Sequence, residues 1–419
     1  MKLALSSNFA VIGGGIAGLV CALALAHKGI ESTIYEREKE GNEAGAGIQL
    51  SPNATRVLAQ FGLLPALEKA GVSPQSLCFM DADKGKVLCC FSLQKASDQW
   101  GAPYLTIHRY DLYQILYQAV SQNPLITLRM GRPITSVSFN QKTGFILESL
   151  IDKQKATYQT RTLIVCDGVW SHLRACAPFH EQARFSGYIA WRATLSVQAL
   201  EAQAAPFLAR LPNPCCVNAW LRPDCHFVAY PILEGKAYNF VAVTKSSKNE
   251  KTWLQRVADK TPLQYAFQKT DEGLRALIHA TNWTYWPLFE MPTHRFYGSV
   301  NQMSSLFFAG DSAHALLPFA AQGAAMAIED AACLAEILSF YPNSPQRAQW
   351  LYHKLRAPRL EMVKNRGQFN KKIYHAQGFL AFARNQAFRW RRQQSFLADL
   401  NWLYQYDIKK ESEKILTTS

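Results

Sequence analysis

The sequence predicts a mixed α/β (α+β) fold: a β-turn-α-β unit at the amino end, a β-rich insertion in the middle and a helical carboxyl-terminal region. Three observations carry this expectation. A strand-like apolar run, Phe9-Ala10-Val11-Ile12, breaks at a cluster of glycines and resumes as an alanine- and leucine-rich run ending at Lys28. Between residues 181 and 294, β-type residues dominate, with turn residues such as Arg222-Pro223-Asp224 between apolar runs. From Gln346 onward apolar residues recur at helical spacing, with Pro358 tolerated near a kink or start. At 419 residues the chain exceeds one compact core and fits two interlocked domains. No low-complexity tract or internal repeat is visible, which sets aside disordered and solenoid architectures.

Phe9 to Ala26 runs eighteen residues without a charged or strongly polar side chain, and Ala24-Leu25-Ala26 resembles a signal-peptidase site. Glycine content argues against a membrane helix. Gly13, Gly14, Gly15 and Gly18 fall inside the run, each costing a helix about 1 kcal/mol against alanine, and only Lys2 supplies a leading charge. The run reads instead as a strand, a turn and a helix (Leu19 to Lys28, closed by Gly29), followed by a second strand from Ile30 to Tyr35 with Glu36 at its end. A soluble, cytoplasmic chain is expected. The ten cysteines show neither C-x-x-C nor a disulfide framework, and H-E-x-x-H is missing. The expectation is therefore no metal and no disulfide, with the thiols acting as small buried apolar residues in a reducing cytosol.

Gly13-Gly14-Gly15-Ile16-Ala17-Gly18 fits G-x-G-x-x-G between a strand and a helix. Gly13 permits the tight turn, Gly15 lets backbone N–H groups approach a pyrophosphate at the positive helix end, and Gly18 lets helix and strand pack closely. Glu36, eighteen positions after Gly18, can accept hydrogen bonds from ribose hydroxyls and would repel a 2′-phosphate. The unit is thus Rossmann-like, and its nucleotide is NAD or FAD.

Two later segments favour FAD. Thr162 to Cys166 is a buried-strand run followed by Asp167-Gly168-Val169-Trp170-Ser171-His172-Leu173-Arg174. Leu306 to Ala309 leads into Gly310-Asp311-Ser312-Ala313-His314. Each places an Asp beside a Gly where a strand meets a loop, the position at which open α/β sheets bind ligands. Asp311 could accept from a polyol chain and cap the following helix.

With these motifs in this order, the chain resembles the group A flavoprotein aromatic hydroxylases of the para-hydroxybenzoate hydroxylase fold, above all the salicylate hydroxylase and 3-hydroxybenzoate 6-hydroxylase branch. The likeness includes Gly45-Ala46-Gly47-Ile48-Gln49-Leu50-Ser51-Pro52-Asn53-Ala54, Ile107-His108-Arg109, Gly187-Tyr188-Ile189-Ala190-Trp191-Arg192 and Arg356-Ala357-Pro358-Arg359. The resemblance implies a Rossmann-like FAD-binding domain with an inserted β-sheet substrate domain. It places Gly13, Gly15, Gly18 and Glu36 on the FAD adenosine half, and Arg109 on the FAD backbone. Asp311, with Gly310, falls on the ribityl chain, and Asp167 to Arg174 on FAD and NAD(P)H. Gly47, Gly323 and Ala324 complete the implied cofactor contacts. Ala315 stands where the family commonly has Pro after His314, which would loosen the loop beside the flavin.

The resemblance also implies a reacting centre. Pro318-Phe319-Ala320-Ala321-Gln322-Gly323 opens a helix running to about Ser339, whose positive end would face the flavin. Pro318 would line the site, and Gln322 could reach substrate or the flavin edge. Val217 to Ile232 reads as two strands, and on the second His226, Val228 and Tyr230 share one face. Positions like His226 and Tyr230 look into the substrate pocket in the resembled branch. A histidine there has a pKa suited to removing a phenol proton near neutral pH. His314 and His108 read as structural or orienting residues.

The FAD domain is expected to be discontinuous, over 1–75, 101–180 and 295–350. Residues 76–100 and 181–294 form the β-sheet substrate domain, and 351–419 the helical region. The implied function is an FAD-dependent monooxygenase that hydroxylates a small aromatic, phenolic or carboxylated substrate with NAD(P)H and O2. Rival readings are an epoxidase or hydroxylase acting on a quinone or terpenoid, and a flavin-bound redox sensor. Net charge is +14, and Arg347 to Arg392 holds twelve Lys/Arg against one acid, Glu361. That stretch reads as a solvated helical face drawing anionic cofactors inward, or as a weak peripheral contact with an anionic membrane. Nucleic acid is not an expected partner, and a homodimer is compatible with the sequence.

Overall fold

The computed structural model describes residues 8–41, 46–151, 154–176, 181–247, 255–256, 259–292, 294, 296–301 and 304–418; Gly45 lies outside them. Strand β1 (Phe9–Ile12) leads through the glycine turn into helix α1 (Ile16–His27), and β2 (Ser32–Tyr35) follows. Gly29, at φ +73°, ends α1 by adopting the left-handed conformation that a Cβ disfavours. All but two residues of α1 are buried, because the helix runs between β1 and a later apolar helix rather than along the surface. The apolar run that mimics a membrane span is thus a short strand, a glycine turn and most of a core helix. Among the described residues, no helix is long and apolar enough to cross a membrane.

β1 sits at the centre of a six-stranded sheet. It pairs in parallel with β2 on one side and β3 (Thr162–Val165) on the other. Residues from opposite ends of the chain meet here, since β3 is itself paired with a strand near residue 306. The fully buried apolar strands are what a doubly covered parallel sheet requires.

The second sheet has eight strands. Its centre is built from β4 (Arg184–Ser196), β5 (Cys216–Arg222), β6 (Cys225–Ile232) and β7 (Ala237–Lys245), with β4, β7, β6 and β5 adjacent in that order. The turn between β5 and β6 puts Asp224 at φ +65°. Ser76–Asp81 and Lys86–Ser92 complete one edge. The two faces of this sheet have different neighbours. Phe227, Ala229, Phe240 and Ala242 pack with Leu200, Phe207, Leu274 and Leu277 of two short helices. Tyr188, Ala190, Val243 and Trp286 turn the other way and pack on Phe319.

β8 (Ser304–Phe308) closes the parallel run of the first sheet beside β3. The chain then continues as helices α2 (Gly323–Phe340), α3 (Pro345–Tyr374) and α4 (Gly378–Trp390). Pro358 lies within the thirty-residue α3 rather than at its start.

The expectation of no disulfide is corrected. Cys78 and Cys90 lie directly opposite each other in the Ser76–Asp81/Lys86–Ser92 pair, with Cα atoms 4.1 Å apart, and are bridged. Their juxtaposition is set by the hairpin register, which a spacing of twelve residues does not announce. Nor are all the thiols buried: Cys215 is exposed and Cys89 half-buried.

Candidate active site

The turn after β1 is shaped by glycines. Gly13 has φ +101°, and a Cβ there would lie 2.4 Å from the Cys166 carbonyl oxygen. A Cβ on Gly18 would lie 1.9 Å from the Gly13 carbonyl oxygen, so the helix can approach the turn only because that carbon is missing. Gly15 is the N-cap of α1, which has no side-chain cap and no acid in its first turn. Its leading N–H groups are therefore left for an anion. At the tip of β2, Glu36 folds back over the turn, accepting hydrogen bonds from Gly14 N–H at 2.5 Å and Glu38 N–H at 2.9 Å.

The loops after β3 and β8 meet beside this turn. Asp167 is largely enclosed; its carboxylate oxygens make no hydrogen bond among the described residues, with His172 Nδ1 3.9 Å from Oδ2; burial pushes its pKa up. Arg174 donates to the Asp311 carbonyl at 3.1 Å and to the Met291 sulfur, while its buried Nε has no partner among the described residues. Burial brings its pKa down to about 10. Gly310, at φ +63°, is the N-cap of the short helix that Asp311 begins. Asp311 is therefore not the cap expected from sequence. Its exposed carboxylate makes no hydrogen bond among the described residues, which leaves it available for hydroxyl groups.

Sequence reasoning missed the structure beneath this corner. Glu329 and Asp330 on α2 are both fully buried. Asp330 accepts from Gly310 N–H at 2.9 Å, from His314 Nε2 at 2.5 Å and from Arg356 Nε at 2.7 Å. Glu329 accepts from Arg356 at 2.6 Å, from Arg359 at 2.9 Å and from Asn53 Nδ2 at 2.7 Å. Burial alone would raise both carboxyls, but Arg359 and Arg356 hold Glu329, and His314 and Arg356 hold Asp330, below their ordinary values. Asn53 continues the network to Gln322 Oε1 at 3.2 Å, and Gln322 Nε2 donates to Ser51 Oγ at 2.9 Å. The available signal was an adjacent Glu-Asp pair in the middle of a mainly apolar helix, with Arg356 and Arg359 spaced to answer it.

Gln322 is the N-cap residue of α2 and is buried. Both ends of its amide are engaged, so it anchors the loop rather than reaching outward. Gly323 follows, and a Cβ there would meet nothing within 4 Å. Ala324 lies beside it in the first turn of α2, which carries no acid. Pro318 opens a short 3-10 turn, and Ala321 takes the left-handed conformation, φ +52° and ψ +38°. The loop before α2 is strained and open at the same place.

The sheet supplies the opposite wall. His226 is 4% exposed, and its ring lies 5.4 Å from that of Phe319. Nδ1 is 2.9 Å from His375 Nε2, and Nε2 makes no hydrogen bond among the described residues. Tyr230 is on the same strand face and buried. A Cβ on Gly47 would lie 2.8 Å from its ring and 2.6 Å from Asn239. Gly47 N–H donates to Asn239 Oδ1 at 2.6 Å, so this glycine ties its own segment directly to β7 of the eight-stranded sheet. Arg192, on β4, is stacked over Trp286 at 5.0 Å and has a buried Nε without a partner. Burial lowers its pKa, and the Arg109 guanidinium nearby lowers it further. Arg109 begins the helix Arg109–Ser121 and donates its backbone N–H to Ala46 O at 2.8 Å.

The predicted residues thus fall into two groups. Gly13, Gly15, Gly18, Glu36, Asp167, Arg174, Gly310 and Asp311 surround the ends of β1, β3 and β8. His226, Tyr230, Gly47, Arg109, Pro318, Gln322, Gly323 and Ala324 stand where the sheet meets the α2 loop. An uncapped helix start, an unbonded carboxylate and unpaired guanidinium nitrogens suit a long, anionic, hydroxyl-bearing dinucleotide, and FAD fits them.

Comparison with known proteins agrees with this geometry. The profile of the FAD binding domain family matches residues 7–366. A 3-hydroxybenzoate 6-hydroxylase from Klebsiella oxytoca is 29% identical over 94% of this chain and 95% of its own. The 3-amino-4-hydroxybenzoate 2-monooxygenase PtnB3 of Streptomyces platensis is 31% identical, with 96% of each chain covered. Among solved structures, a salicylate hydroxylase substrate complex superposes with a TM-score of 0.77 over 97% of both chains at 22% identity, a likeness of fold.

Proposed function

Because the chain belongs to the FAD-binding-domain family, that of the flavin-dependent aromatic hydroxylases, we propose a hydroxybenzoate-type acid as its substrate and His226 as the base that accepts the phenol proton. The protein is an FAD-dependent monooxygenase acting on small aromatic compounds with NAD(P)H and O2. Bound FAD supplies the electron relay from NAD(P)H and the activation of O2. Everything else falls to the residues. The α1 N-terminus and Glu36 hold the adenosine half, Asp311 and Arg174 hold the middle, and the uncapped start of α2 holds the ring end.

One observation carries the substrate reading: a buried imidazole whose Nε2 makes no hydrogen bond, and the half-buried Arg192, whose Nε is enclosed and which has no anionic partner, share one sheet face among the described residues. An aromatic acid held between them would present its carboxylate to Arg192 and its hydroxyl to His226. An ion pair made in a dry site is stronger than one in water, and the apolar walls of Tyr188, Trp286 and Phe319 exclude water. Removing the phenol proton raises electron density on the ring carbons ortho and para to it. The test is a panel of hydroxybenzoates, aminohydroxybenzoates and neutral phenols, scored for stimulated NAD(P)H oxidation with matching product. Acids bearing a ring hydroxyl should stimulate; equal response to neutral phenols, or none to any, contradicts the reading.

We further propose that α4 rests on an anionic membrane surface. Its outward face carries Phe379, Phe382 and Trp390, at 84%, 58% and 82% exposed, while Arg384 is turned inward onto the Ile373 carbonyl at 3.0 Å. Lys372, Arg389 and Arg392 flank it without acidic partners among the described residues. Aromatics bordered by free cations match the headgroup boundary. Salt-sensitive binding to phosphatidylglycerol vesicles, lost in Phe379→Ser/Trp390→Ser, is expected. A dimer disrupted by the same changes, with no vesicle binding, would overturn it.

A further inference from the structure

His375 lies 149 positions from His226 in sequence and touches it in space. It caps the end of α3, with its N–H on the Lys371 carbonyl at 3.1 Å. Its ring is wedged between Tyr188 at 5.7 Å and Phe319 at 5.5 Å, centroid to centroid, and lies 5.1 Å from the His226 ring. These contacts fix its orientation, so that Nε2 points at His226 Nδ1 from 2.9 Å. Nothing in the sequence motifs marks His375.

We infer that His375 is a positioning residue for the reaction: it fixes the tautomer of His226 so that Nε2 faces the substrate as a base, and it takes over the proton that His226 accepts. The inference rests on the reading of His226 as the base. Only one hydrogen can lie between the two nitrogens. If His226 Nδ1–H donates to His375 Nε2, the lone pair of His226 is left on Nε2. The opposite arrangement would place a hydrogen on Nε2 and make it useless as an acceptor.

The step balances. The substrate O–H bond breaks, its electron pair stays on the phenolate oxygen, and an N–H bond forms at His226 Nε2. The Nδ1 hydrogen of His226 then passes to His375 Nε2, leaving His226 neutral and His375 cationic. The pair resets when that proton returns to the same oxygen as the ring hydroxyl is restored in the product, so the transfer adds no net proton to the cycle.

The surroundings decide when that transfer can occur. Burial, then the neighbouring His375, holds His226 well below the usual histidine range, and burial brings His375 down to about 4. Both rings are therefore neutral at neutral pH with a lone pair free, but each is a weaker base than the histidine expected from sequence and takes a proton only against a negative charge formed beside it. Facing His375 are Asp224 from the β5–β6 turn, Lys245 from the end of β7, Lys371 and Tyr374 from α3, and Tyr188 from β4. Asp224 favours the cation while Lys371 and Lys245 oppose it, and Lys245 is itself paired to Asp224 at 2.6 Å. The new phenolate adds the decisive negative charge, in a site where opposite charges attract strongly.

The experiment compares wild type, His375→Gln and His375→Ala, each loaded with FAD. The bound probe is 3-hydroxy-4-nitrobenzoate, whose phenolate is coloured. In His375→Ala the bound phenol should ionise about one pH unit higher, and kcat for hydroxylation of 3-hydroxybenzoate at pH 7 should fall about 10- to 100-fold with KM nearly unchanged. Raising the pH should restore the rate. Gln, whose oxygen can still accept from Nδ1–H, should recover most of the loss. His375→Asn, too short to reach, replaces the Ala variant should that one lose FAD. An unshifted phenol ionisation, or a Gln variant as impaired as Ala, overturns the inference. Imidazole nitrogen NMR of the substrate-free enzyme reads the pair by itself: the Nδ1–H tautomer of His226 should dominate in wild type and be lost in His375→Ala. A wild type with that tautomer but no hydroxylation of any phenol would refute the reaction assignment and leave the pair standing.

Discussion

Asp330→Asn should destabilise the protein and weaken FAD binding together, because one carboxylate supports both. All three groups around Asp330 are donors: Arg356 Nε at 2.7 Å, Gly310 N–H at 2.9 Å and His314 Nε2 at 2.5 Å. Asparagine keeps one acceptor oxygen and turns an NH2 toward the rest. Facing Arg356, that NH2 leaves a buried guanidinium nitrogen unpaired; facing the other side, it opposes both Gly310 and His314. A buried donor without a partner costs about 1–3 kcal/mol, and breaking a buried ion pair about 3–5 kcal/mol. At roughly 2 °C per kcal/mol for a large chain, Tm should fall by roughly 6–10 °C. The control is Glu336→Gln, which breaks a pair to Lys28 of 2.6 Å at the edge of the same helix. That partly exposed pair contributes about 1 kcal/mol or less. Thermal unfolding of both variants, followed by circular dichroism in excess FAD and paired with FAD titration, gives the comparison. An Asp330→Asn protein with the Tm and FAD affinity of Glu336→Gln would refute the reasoning.

Other outcomes follow from single positions. Ala321→Gly relieves a left-handed backbone that costs an L-residue about 1 kcal/mol, so the denaturant midpoint should rise; an unchanged or lower midpoint contradicts the strain. Gly18→Ala should abolish FAD retention, since its Cβ would collide with the Gly13 carbonyl; purification of a yellow variant would show that the turn can move. Acidification should destabilise the fold in two stages. His226, His375 and His294 have depressed values, the last two about 4, through burial. The contribution from their neutral burial is complete above about pH 6.5 and is lost as pH falls toward 4. Glu329 and Asp330 are also depressed, so their contribution persists until the pH drops below about 4. A urea midpoint that rises between pH 7 and 5 would contradict the first stage.

Local signals were legible in the sequence where a backbone demand selects one residue type. Gly13 and Gly18 could be read because a tight turn and a close helix-strand contact each exclude a Cβ. The alternation of His226, Val228 and Tyr230 along one strand put them on one face before any coordinates. What stayed hidden depends on long-range register. The Cys78–Cys90 bridge needs the alignment of two strands. The His226–His375 contact needs the end of α3 to meet β6 across 149 residues. Gln322 looked free to reach substrate because Ser51 and Asn53, its partners, stand some 270 positions earlier. Arg192 was quoted only within a motif; its enclosed Nε, with no hydrogen bond among the described residues, emerges only once β4 is packed in the sheet.

Oxygen incorporation tests the central claim most directly. The FAD-loaded protein is given NAD(P)H, a hydroxybenzoate that stimulates its oxidation and 18O2 in ordinary water, and the product is weighed by mass spectrometry. One atom of 18O in a new ring hydroxyl per NAD(P)H consumed is the result expected of a monooxygenase with substrate held between sheet and flavin. Product that carries only 16O, or cofactor oxidised without any ring hydroxylation across the whole panel, would contradict it.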